Sequence, residues 1–127
     1  MTVKLAPVTD ALVARLEAAF PNISTVVGDR PQDLYPAHVV HQVDGGSGFF
    51  RDLDSTHGDG TFAWQVTCVA LNAAHAAGMR DDVVAALTTE PPDGVKLVRC
   101  ASPGGVRPDR DVTPPVWVAT PLFHLTI

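Results

Sequence analysis

The chain has 127 residues, of which 46% are hydrophobic, enough to bury one real core and to form a single domain. Its 14 Asp and Glu outweigh 9 Lys and Arg, and the resulting net charge of −5 argues against a dedicated nucleic-acid binder, which needs clustered cations to release counterions. No apolar run approaches the roughly 20 residues of a membrane span, and the first residues lack the basic-then-apolar layout of a signal peptide, so the expectation is a soluble protein that is not secreted.

From the N-terminus, Thr9 offers an N-cap, Val8 can staple onto Val13, and Leu12, Leu16, Ala19 and Phe20 recur at the spacing of a core-facing helix that Pro21 stops. A short strand is expected from Ile23 to Gly28 and a second from Ala37 to Val43, separated by the loop that closes on Leu34-Tyr35-Pro36. Asp44-Gly45-Gly46-Ser47-Gly48 reads as a turn, because several glycines can adopt positive φ. Phe49-Phe50-Arg51-Asp52 reads as a third strand or an extended arm, and Asp52 to Gly60 as an acidic, polar loop.

The organising stretch follows. Thr61 to Leu71 is a long apolar strand in which Phe62, Trp64, Val66 and Cys68 alternate against Thr61, Gln65 and Thr67, the period of two that sends one face inward. Asn72 is placed to cap an alanine-rich helix from Ala73 to Leu87, whose Ala76, Ala77, Val83, Val84 and Leu87 share a side. Beyond the Pro91-Pro92-Asp93-Gly94 turn, Val95 to Ala101 is expected as a strand with Val95, Leu97 and Arg99 on one face. Ser102 to Pro115 reads as a protruding loop. Val116 to Val118 and Phe123 to Ile127 make the closing strand, with a bulge or an edge position at Pro121. Strands in runs beside two helices predict an α+β fold, a mostly antiparallel mixed sheet with both helices on one face and the other face left to be covered.

Candidate chemistry is sparse. His38 and His41 lie three apart on a strand and so point to opposite faces, which disfavours a shared metal. His57-Gly58-Asp59, near Asp52 and Asp54, reads as a solvated loop, and Gly45 to Gly48 lacks the lysine and following helix of a phosphate loop. Cys68 lies in a buried strand, a poor place for a nucleophile, and with Cys100 reads as a free thiol, a cross-strand disulfide being the alternative. Arg80 falls within the apolar stripe of the second helix, its stem either lying over the sheet or its charge meeting another subunit. No cofactor, metal or catalytic set is expected.

One layout is familiar. The N-terminal helix, Leu34-Tyr35-Pro36 leading into the Val39-Val40 strand, the Asp44-Gly45-Gly46-Ser47-Gly48 turn with Arg51 after it, the Phe62 to Ala70 strand and the alanine-rich helix resemble the tail terminator proteins of long-tailed bacteriophages, particularly actinobacterial siphophages. The likeness runs from Leu12 to Leu87 and, more loosely, through the closing strand; Ser102 to Pro115 has no counterpart in it. The resemblance implies a virion protein assembled in the bacterial cytoplasm, a homo-oligomer, as a hexameric ring on the last ring of tail-tube protein. Such a ring ends tube growth, meets head-completion or neck proteins and lets DNA pass through its lumen without sequence-specific binding. Ring or tube contacts would then fall on Gly45, Gly46, Phe49, Phe50, Arg51, Asp52, Asp54 and Arg80. Two other readings stay open: another neck or tail-completion protein, and a small α+β enzyme or ligand-binding domain with a pocket at Gly45 to Gly48 and His57.

Overall fold

The computed structural model describes residues 6–28, 35–43 and 61–127. The described elements are α1 (Ala6–Ala19), β1 (Ser24–Val27), β2 (Ala37–Gln42), β3 (Thr61–Ala70), α2 (Ala73–Thr89), β4 (Leu97–Ser102), β5 (Val106–Asp109), β6 (Val116–Ala119) and β7 (Leu122–Thr126). They form an α+β fold with one mixed, mostly antiparallel sheet of seven strands, the class the sequence predicts. The third strand expected at Phe49 to Asp52 lies outside the described residues.

β3 is the spine of the sheet. β2 pairs antiparallel along one side of it, β6 and β7 antiparallel along the other, and β1 extends the sheet in parallel beyond β2. Gln65 faces Leu122 and Cys68 faces Ala119, the same spacing on both strands, so β6 and β7 hold a single register along β3. The bulge expected at Pro121 is therefore absent from this pairing; the carbonyl of Pro121 instead accepts from the Val66 N–H at 3.2 Å. Outside this row, β5 pairs with β6 and β4 with β7. The stretch read as a protruding loop, Ser102 to Pro115, thus contains a strand. Its proline and glycine content concealed it, and Pro108 is tolerated because a strand paired on one side only has outward positions that need no ladder donor.

Alternation along β3 builds two cores. Phe62, Trp64, Val66 and Cys68 face the helices and pack with Val8, Leu12 and Leu16 of α1 and with Ala76, Met79, Val83 and Leu87 of α2. Phe20 and Val84 close the edge of that cluster. Val69 faces the other way, into a smaller cluster with Val39, Val116 and Val118. Trp64 and Val66 thus pack beneath both helices.

Local details correct several expectations. α1 begins at Ala6, so Thr9 is not the cap but lies inside the first turns, where its hydroxyl accepts the Trp64 Nε1–H at 2.9 Å. Pro7 suits the start of a helix, since its missing N–H falls where no intrahelical partner exists. Asn72 does cap α2, its side chain accepting from the His75 N–H at 2.7 Å. The far end of α2 is held by α1: Arg15 donates from Nε to the Glu90 carbonyl and from Nη2 to the Ala86 carbonyl, at 3.0 and 3.2 Å, placing a cation where the helix dipole favours one. β3 ends at Ala70, leaving Leu71 exposed. On β4, Leu97 and Arg99 face solvent while Val98 is buried, so Leu97 and Arg99 share one face as expected and it is the outer one. Val95, expected as the first strand residue, belongs instead to the preceding turn, where its N–H bonds the Pro92 carbonyl.

Trp64 is fully buried, so Trp64→Ala is expected to cost about 3 to 5 kcal/mol in urea denaturation, and Trp64→Phe about 1 kcal/mol for the lost bond to Thr9. An unchanged midpoint for Trp64→Ala would remove β3 from the centre of the fold.

Candidate interaction surface

The two faces of the sheet differ in kind. Both helices lie over the face of Trp64, and among the described residues no helix covers the other. That open face has an apolar half, where Val39, Val69, Val116 and Val118 are sealed by Val26, Tyr35 and Val112. Its second half is polar and partly exposed. The register sets Thr61 beside Thr126, with their hydroxyls 3.1 Å apart, Gln65 beside Leu122, and His124 between Ala63 and Arg99.

The two ends of the sheet also differ. Among the described residues β1 pairs with β2 alone, and its sequence Ser24-Thr25-Val26-Val27 carries no charge, no proline and an exposed Val27. The opposite end is blunted by devices that natural sheets use against unwanted strand pairing: a register shift between Cys100 and Ser102, charged Arg99, Arg107 and Asp109, and Pro108. An open face flanked by one receptive and one guarded edge can present backbone donors and acceptors to another chain at one end only.

Of the residues singled out as contacts, Gly45, Gly46, Phe49, Phe50, Arg51, Asp52 and Asp54 lie outside the described residues, as does His57. Arg80 is placed at the flank of the α2 stripe, its side chain 21% exposed. Its Nη1 donates to the Gly104 carbonyl at 3.1 Å and its Nε to Asp81 at 3.0 Å. Both bonds are made within its own chain. Gly104 sits where β4 gives way to β5, at φ +72, and a Cβ there would lie 2.7 Å from the Thr120 carbonyl oxygen. Arg80 thus ties α2 to the point at which two neighbouring strands are both interrupted. Sequence gave no sign of this tie, because nothing in the spacing joins residues 80, 104 and 120.

Histidine and cysteine chemistry resolves simply. His38 and His41 face Cys68 and Gln65 respectively and so occupy opposite faces, as their spacing predicts. Among the described residues no cluster of three or more His, Cys, Asp or Glu is placed to hold a metal. Cys68 and Cys100 are free thiols. Register makes His38 the direct cross-strand neighbour of Cys68, a juxtaposition that the sequence reading missed because it requires knowing how β2 and β3 align. The pair is nonetheless neutral: burial pushes the Cys68 thiol up to about 12, an effect the nearby Arg80 charge only partly opposes, and burial lowers His38 to about 4. A nucleophilic cysteine requires its thiolate, which this environment suppresses.

With this geometry in hand, comparison with known proteins adds no relative: no protein-family description matches the chain and no curated protein sequence matches it.

Two measurements follow from these placements. Gly104→Ala is expected to destabilise the protein by at least about 2 kcal/mol, combining left-handed backbone strain with the Thr120 contact, whereas Gly28→Ala, at φ +86 in open space, is expected to cost about 1 kcal/mol. Equal urea midpoints for the two variants would refute the close approach. His38 gives a pH signature. Between its folded value of about 4 and its ordinary 6.5 the unfolded chain binds a proton that the folded chain does not, so stability is full above 6.5 and falls with acidification. By pH 5 the expected loss is about 2 kcal/mol. Urea titrations at pH 7 and pH 5 should show it, and His38→Leu should remove most of it; an unaltered loss in that variant would assign it to other groups.

Proposed function

We propose that this chain is a ring-forming structural subunit of a long-tailed phage virion, a tail terminator that caps the last ring of tail-tube protein and ends tube polymerisation. The observation that carries the reading is the asymmetry of the sheet among the described residues, with one face under helices, one face without them, and two unlike edges. A closed ring is built from heterologous contacts, each joining two different patches of the same chain, and a subunit with dissimilar ends is suited to that geometry. A hexamer is the stoichiometry that the resemblance implies. The remaining open surface would meet tail-tube protein on one side and head-completion or neck proteins on the other.

Two further features support the reading. The acidic balance, −5 overall, suits a lumen through which DNA must slide without sticking. Among the described residues no helix is long and apolar enough to cross a membrane, and the proposal needs no membrane. The alternative of an enzyme or ligand-binding domain with a pocket at Gly45 to Gly48 and His57 falls outside the described residues; within them, the cross-strand neighbours Cys68 and His38 are buried and neutral.

Phe49 and Phe50 are the residues most costly to leave in water within the candidate contact segment, and Arg51, Asp52 and Asp54 add charge beside them. The double variant Phe49→Ser, Arg51→Glu is expected to remain a folded monomer that neither forms rings nor arrests tube growth, read by size-exclusion light scattering and by tube length in electron micrographs. Rings and normal tube lengths from that variant would move the assembly surface elsewhere.

A further inference from the structure

The least explained group in the molecule is His38. It is fully buried on the helix side of β2, and neither of its ring nitrogens has a hydrogen-bond partner among the described residues. Its register partner on β1 is Thr25, whose Oγ1 is likewise buried without a partner. Paired residues of adjacent strands send their side chains to the same face, so the imidazole and the hydroxyl lie side by side. Phe20, just past α1, meets the His38 ring in a T-shaped contact, centroids 5.4 Å apart. Beside Phe20 a cleft of about 360 Å³ opens between the end of α1 and β1, lined by Glu17, Phe20, Asn22, Ile23 and Thr25 among others.

Buried polar groups in folded proteins are almost always satisfied, by protein or by an ordered water. Here two orphans are register partners on adjacent strands, Phe20 packs against one of them, and Thr25 and Phe20 both line the neighbouring cleft. We propose that Thr25 Oγ1 and His38 together form a binding site for one internal water molecule, which enters past Phe20 and bridges the hydroxyl to a ring nitrogen.

The chemistry of the site selects a small neutral guest. A threonine hydroxyl donates and accepts, and a neutral imidazole offers one donor and one acceptor, so water can complete either polarity of the bridge. Among the described residues the neighbouring elements supply no buried charge to hold an ion: β1 contributes Ser24 and Thr25, β3 the protonated Cys68, while Glu17 of α1 is exposed at the cleft and Arg80 of α2 is engaged with Gly104 and Asp81. The bridge would tie β1, the receptive edge, to β2 through side chains as well as through the ladder.

Water-to-protein cross-relaxation in NMR tests this on the whole chain. A long-lived water is expected to give cross-peaks to the His38 ring protons and to the Thr25 methyl, and Thr25→Val should abolish the His38 cross-peak while leaving the ring buried. In urea denaturation, Thr25→Val and His38→Leu should each lower the midpoint, and the double variant should be no less stable than the weaker single one, because each single change strands the partner that the double change removes. A direct Thr25–His38 bond without any water signal, or an absent water signal together with additive midpoints, overturns the proposal.

Discussion

The whole fold depends on β3 being paired on both sides and feeding an apolar cluster on each face. Ten residues, Thr61 to Ala70, carry the hydrogen bonds of β2, β6 and β7, and their alternation feeds two separate apolar clusters. Trp64 is the centre of this arrangement. It is fully buried, its indole N–H is accepted by Thr9, and through that bond and the packing of Leu12 and Leu16 it fixes where α1 crosses the sheet. An indole needs such a partner when it leaves water, so the hydroxyl that sequence assigned to a helix cap does more inside the helix than it would at its end.

A spine with an apolar cluster on each face constrains everything outside it. With both helices over Trp64, the opposite face is closed, among the described residues, where Val39, Val69, Val116 and Val118 meet. Among the described elements, the polar remainder and the β1 edge stay uncovered because both helices are used on one side. The reading as an assembly subunit grows from that imbalance, since surface left open by one copy is available to another.

Much of the fold was legible in the sequence, because local signals are strong where period and caps agree. The period of two from Phe62 to Cys68, the switch to helical spacing after Asn72, and the Leu12–Leu16 stripe all survive in the structure. Failures have local physical causes. Proline and glycine around Val106–Asp109 looked like a loop, yet a one-sided strand tolerates them. Val95 looked like the first strand residue, yet a turn bond claims it. The site was far less legible. Arg80 at Gly104, His38 beside Cys68 and Thr25, and Arg15 at the end of α2 each join residues distant in sequence, and no spacing announces them. The glycine and phenylalanine segment from Gly45 to Asp54, which the resemblance puts at the interface, lies outside the described residues and remains a proposal.

The central claim is that this subunit acts as a ring on a tail tube, and native mass spectrometry of the purified protein, alone and mixed with tail-tube protein, tests it most directly. The account predicts a species six times the 13.4 kDa subunit mass, formed alone or on mixing, and its association with tube ends. A protein that stays at the subunit mass at every concentration, and that leaves tail-tube protein unbound and free to polymerise, would contradict it.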